Sequence, residues 1–98
     1  MVVTVLEANV APGQEAALQA AYAAAPSELP EGLIRSELLR DARDPMRWRI
    51  QTLWRSREAL DAMRRAGTPA GVLMFRAAGA EPTLSIFEVV RALPSAAG

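Results

Sequence analysis

A chain of 98 residues has room for one small core and not for two. Its 11 basic residues, all arginine, balance 11 acidic ones, so no cationic stripe announces a nucleic-acid partner. With neither histidine nor cysteine, it lacks the imidazole and the thiol that most general-base, nucleophilic and metal-ligand chemistry needs.

The opening stretch MVVTVLEANV has no basic leader and no small-residue cleavage site, and no apolar run reaches the length of a membrane span. A soluble, cytoplasmic protein is expected. Val2 to Val10 is rich in β-branched residues and reads as a strand. Its two faces are Val2, Thr4, Leu6, Ala8 and Val3, Val5, Glu7, Asn9, both largely apolar, which predicts cover on two sides. Pro12 and Gly13 break it, Gln14 to Ala25 reads as an alanine-rich helix, and Pro26 stops that helix.

Leu33 to Arg40 is expected to be a second strand, DARDP a hairpin loop, and Arg47 to Arg55 a third strand. In the third the period of two is clean: Trp48, Ile50, Thr52 and Trp54 share one face, opposite Arg47, Arg49, Gln51 and Arg55. Ser56 is a good N-cap, Glu58 and Asp61 suit the start of the helix it opens, and Arg64 and Arg65 suit its end. Gly67 closes that helix, and Thr68 with Pro69 starts a second short helical piece through Val72, Leu73 and Phe75. After the loop AAGAEP, a final strand is expected from Thr83 to Leu93. One domain over residues 1–93 is expected, with 94–98 a frayed tail.

The element order is strand, helix, strand, strand, helix, strand. Right-handed split βαβ units then give a ferredoxin-like α+β fold, a four-stranded antiparallel sheet with its helices on one face. The other face would be bare yet partly apolar, which predicts a homodimer packed through the open sheet face.

The segments VAPGQEAAL, EGLIRSELLRD and above all TLWRSREALDAM resemble the antibiotic biosynthesis monooxygenase (ABM) domain, over about Val2 to Val90. The resemblance implies a dimeric α+β barrel with a pocket between helices and sheet. It also implies a choice of chemistries, because the family includes cofactor-independent oxygenases that make quinones from anthrones or quinols, haem degraders, and members without known activity. The haem degraders carry a tryptophan on the second helix and a histidine after it. Here Met63 stands at the helix position and TPAGVLMFRAAG has no histidine, which argues against that mechanism. No cofactor and no metal are expected.

Asn9 matches a position where haem degraders and some oxygenases of the superfamily carry a functional Asn, and it also suits a strand end bonded to the following APG turn. A cofactor-free oxygenase must stabilise a substrate anion, a task open to Arg35 and Arg49, which are equally suited to solvent or to a pair such as Arg35 with Glu37. Glu7 or Tyr22 would serve as proton acceptor or relay if burial shifted its pKa; the ordinary place for the Tyr22 hydroxyl is the surface. Trp54 is a packing wedge or a ligand contact, and Met63, Met74 and Phe75 are pocket wall or plain core.

The expected function is therefore oxidation of a small aromatic, anthrone- or quinol-like substrate with O2. Catalytic candidates are Asn9, Arg49 and Tyr22; substrate-binding candidates are Arg35, Trp54, Met63, Met74 and Phe75. The alternative is a non-catalytic dimeric module that binds a small hydrophobic ligand. RNA binding, which the strand order also allows, would need aromatics on both central strands, and the first has none.

Overall fold

The computed structural model describes residues 1–94, and these form four strands and three helices. The expected tail lies, but for Pro94, outside the described residues. In chain order the elements are β1 (Val2–Asn9), α1 (Glu15–Ala23), β2 (Leu33–Arg40), β3 (Arg47–Trp54), α2 (Arg57–Arg65), α3 (Ala70–Ala77) and β4 (Thr83–Glu88). The strands form one antiparallel sheet in the order β2-β3-β1-β4, the ferredoxin-like arrangement.

Period-two alternation decides what each side of the sheet does. The helices cover the face that carries Val2, Thr4 and Leu6 of β1 and Trp48, Ile50, Thr52 and Trp54 of β3, all buried. On that face the core divides into two clusters. One gathers Leu6, Trp48, Ile50, Leu18 of α1 and Phe75 of α3; the other is Val2, Trp54 and Leu60 of α2, with Met63 and Ile86 against it.

Ser56 holds the start of α2, its Oγ accepting from the Ala59 backbone N–H at 3.1 Å, a cap that contributes about 1 kcal/mol. Close packing of α2 over the entry to β2 needs Gly32: its φ is +84°, and a Cβ there would run into the Ala59 methyl. A β-bulge between Leu33 and Arg35 adds one residue to β2. Because of it, Leu33 and Ser36, which plain alternation would send to opposite faces, pair with Trp54 and Thr52 on the helix-covered side.

Several element ends differ from the sequence expectation. The final strand stops at Glu88 and not Leu93, because Glu88 pairs with Val2 and the next N–H, of Val89, takes the carbonyl of Met1 at 3.0 Å. Past that bond the segment leaves the sheet, with Val90 and Leu93 83% and 95% exposed. At the other end of β1, Val10 leaves the ladder and donates to the Met46 carbonyl at 2.7 Å. β3 ends at Trp54, and α1 is shorter by a residue at its start and two at its end, with Gln14 at the N-cap but making no side-chain cap bond.

Candidate functional site

Across the middle of the helix-covered face runs a polar row. Thr4 pairs with Thr52, and Thr52 with Ser36, so three hydroxyls lie side by side on β1, β3 and β2. Thr4 and Thr52 are buried, where an unpaired hydroxyl is costly, and each is engaged. The Thr52 hydroxyl donates to Ser36 Oγ at 3.4 Å, the Tyr22 hydroxyl reaches down from α1 to the same oxygen at 2.9 Å, and the Trp54 indole N–H donates to Thr4 Oγ1 at 3.1 Å. The other tryptophan differs: the buried Trp48 indole N–H has no hydrogen-bond partner among the described residues.

Above the Thr4 end of this row, residues of α2 and α3 line a cleft of about 550 Å³, a volume in the usual range for small-molecule sites. Thr4 and Leu6 lie at its sheet side, Leu60, Met63, Val72 and Leu84 along its walls, and Arg64, Arg76 and Glu81 are its charged lining, with the 67–69 turn and Pro82 at its margin. Arg76 holds Glu81 through two bonds of 2.9 and 2.8 Å, and this guanidinium keeps the Glu81 carboxyl below the ordinary carboxylate range. The cleft thus carries apolar walls, one buried hydroxyl, cations on its lining and no group poised to accept a proton.

The sequence-picked residues divide between the two faces. Met63 lines the cleft, and Trp54 lies behind it, hydrogen-bonded to the cleft residue Thr4. Phe75 is fully buried and Met74 partly so, both in the α1/α3 cluster and outside the cleft lining. Tyr22 is half-buried, its hydroxyl engaged with Ser36 and not directed at solvent. Asn9, Arg35 and Arg49 belong to the open face: Asn9 is exposed opposite Arg47, Arg35 pairs with Glu37 at 3.2 Å, and Arg49 pairs with Glu7. The residues that sequence reasoning missed are Thr4, Leu60 and Val72 of the cleft and Ser36 and Thr52 of the row. For Thr4, Ser36 and Thr52 the signal is cross-strand register, and for Leu60 and Val72 it is how α2 and α3 pack on the sheet; both appear only once the elements are assembled.

On the open face, Glu7 accepts from both neighbours on β3, from Arg49 at 3.1 and 2.7 Å and from Arg47 at 3.0 and 2.6 Å. These bonds, Arg49's foremost, hold the Glu7 carboxyl below its ordinary value of 4.5. A carboxylate so held is a poor proton acceptor at neutral pH, so the shift runs opposite to what a general base would need. The triad borders a charged hollow of about 380 Å³ beside the β2–β3 turn, next to Asp41 and Arg43.

Residues 1–68 match the family model described as antibiotic biosynthesis monooxygenase. The chain belongs to that family. Among curated proteins, none matches this sequence. Solved structures resemble this ABM chain over nearly its whole length. A Deinococcus radiodurans protein assigned to the same family is 14% identical, with a TM-score of 0.74 over 95% of this chain and 96% of its own. The haem degrader MhuD of Mycobacterium tuberculosis, solved with two haems in its active site, is 27% identical, with a TM-score of 0.71 over 95% and 99%. A variant of SnoaB, a cofactor-independent oxygenase of Streptomyces nogalater, is 18% identical, with a TM-score of 0.65 over 96% and 97%.

Haem would be a misfit in this ABM cleft. Its lining offers one thioether, Met63, and no imidazole, thiolate or phenol to take the proximal side of the iron. Among the described residues, no group of three or more acidic, His or Cys side chains is placed to hold a metal ion, and no helix is long and apolar enough to cross a membrane.

Proposed function

We propose that this ABM-family chain is a cofactor-independent monooxygenase that binds a small aromatic, anthrone-like substrate in the α2/α3 cleft. The observation that carries the reading is the cleft itself: about 550 Å³, walled by Leu60, Met63 and Val72, with a buried hydroxyl at its base. Such a space suits a flat ring system bearing few polar groups. Membership of the family and the likeness to SnoaB support the class of reaction.

For an anthrone the reaction balances without an external reductant. The substrate methylene becomes a carbonyl, one atom of O2 enters the ring carbon, and the other leaves as water with the two methylene hydrogens. The electrons come from the substrate once it is ionised to its enolate. Because the cleft holds no poised base, the substrate enters already ionised, and the guanidinium of Arg64 balances its charge. The apolar walls exclude water around the anion and O2.

In this reading the protein works as a homodimer joined through the open sheet face. Val3, Leu53 and Phe87 lie in one cross-strand row there, with Phe87 56% exposed, and a second sheet would cover them. Trp54 and Met63 are retained as substrate-side residues; Asn9, Arg35 and Arg49 are assigned to the partner-facing side.

The test is oxygen uptake by metal-free protein given a panel of anthrones and reduced quinones, with Val72→Trp as a cleft-filling variant. Uptake above the autoxidation blank, lost in the variant and rising with pH as the substrate itself ionises, supports the oxygenase. The missing base also favours a second reading, a binding module of the same cleft. Binding without uptake across the panel would establish that one instead.

A further inference from the structure

The structure assigns to Thr4 the selection of a ligand oxygen at the base of the cleft. The indole N–H of Trp54 can only donate. Since it points at Thr4 Oγ1 from 3.1 Å, the threonine oxygen is fixed as an acceptor, and two donors cannot face one another. The Thr4 proton is therefore turned away from Trp54. Among the described residues the one side-chain hydrogen bond of Thr4 is the one it accepts from Trp54, and no group takes its proton: the Thr52 and Tyr22 hydroxyls bond Ser36, not Thr4. Thr4 is buried and lines the cleft, so its unspent donor lies where the only new partner is whatever occupies that space.

A valine would fill this strand position but leave the buried Trp54 indole N–H without its acceptor. That acceptor role uses only the oxygen; what the proton adds is discrimination. A ligand with a carbonyl or enolate oxygen at that end gains a hydrogen bond from Thr4, and a ring system of the same shape without oxygen gains none and leaves a buried donor unpaired. Trp54 is the positioning residue, since it holds Thr4 in the donating state without touching ligand. The assignment rests on the cleft being the binding site, and names oxygen-acceptor aromatics as the class it prefers.

The experiment compares 1,4-naphthoquinone, whose ring oxygens can only accept, with naphthalene, which has none, by calorimetric titration. The quinone meets no thiol and no lysine in this chain. The wild type should bind the quinone more tightly, Thr4→Val should weaken quinone binding about tenfold without weakening naphthalene, and Thr4→Ser should restore the preference. The Trp54 indole N–H resonance adds a readout that needs no variant: it should move with the quinone and far less with naphthalene. Equal loss of both ligands in Thr4→Val, or equal movement of the indole signal with both, overturns the assignment. If the wild type binds neither compound, the cleft itself is the wrong site and the assignment falls with it. Naphthalene binding therefore separates failure of Thr4 from failure of the cleft.

Discussion

The chain has two phenylalanines, and they sit on opposite sides of one sheet. Phe75, on α3, is 0% exposed in the α1/α3 cluster, and Phe87, on β4 beside Val3, is 56% exposed on the open face. One side has its apolar groups closed over by helices and keeps a row of hydroxyls and a cleft. The other leaves Phe87 bare on the same face as a carboxylate held by two arginines. The difference teaches that alternation, reset once by the bulge in β2, gives the two faces of a small sheet different chemistry, each strand residue being committed to one face by its position.

Truncation of the two phenylalanines should break the comparison most visibly. Phe75→Ala is expected to lower the unfolding free energy by about 3–5 kcal/mol in urea denaturation, through lost burial and the cavity left behind. Phe87→Ala should cost the isolated protomer less than about 0.5 kcal/mol, yet shift sedimentation toward monomer. Equal destabilisation by both would mean that the faces are not distinct.

The tryptophans sharpen the contrast within the covered face. Trp54→Phe and Trp48→Phe remove the same volume from the same side of β3, but only Trp54 gives up a hydrogen bond. Trp54→Phe is therefore expected to be the more destabilising by about 1 kcal/mol, measured by the same denaturation. A larger loss at Trp48 would mean that its indole N–H has a partner after all.

A smaller effect belongs to pH and to the open face. The Glu7 carboxyl is held below its ordinary value of 4.5 by bonds from Arg49 and Arg47, so its contribution to stability is present above that value. It is lost as pH falls through the lower folded value. The stability gap between wild type and Glu7→Gln should be open at pH 7 and close on acidification below about 4.5. Asp41, held down by the Arg43 and Asp44 backbone N–H groups, and Glu81, held down by Arg76, titrate in both proteins and cancel. A gap that stays constant to low pH would mean that the triad adds nothing to stability.

Much of this fold is legible in the order of residues alone. The alternation of Trp48, Ile50, Thr52 and Trp54 and the Ser56 cap act through neighbours in sequence, and those elements appear where the signals put them. α3 also follows Thr68–Pro69, but with Pro69 and not Thr68 at its N-cap and no side-chain cap bond. The site is less legible because its parts meet only through register. Alternation places Glu7 with Asn9 and Arg47 with Arg49, but which face the helices cover depends on how β1, β3 and the two halves pack. Ser36 is hidden further by the bulge in β2, which resets parity after Leu33. The overlong last strand has the same cause: its own residues favour extension, but its length is set by pairing with β1, which ends at Val2 opposite Glu88.

The most direct test of this division between faces is the amide spectrum of the isotopically labelled protein titrated with 1,4-naphthoquinone. Shifts are expected to concentrate at Thr4, Met63, Val72 and Leu84, around the cleft. Shifts concentrated instead at Glu7, Arg47 and Arg49 would place the ligand on the open face and contradict the division.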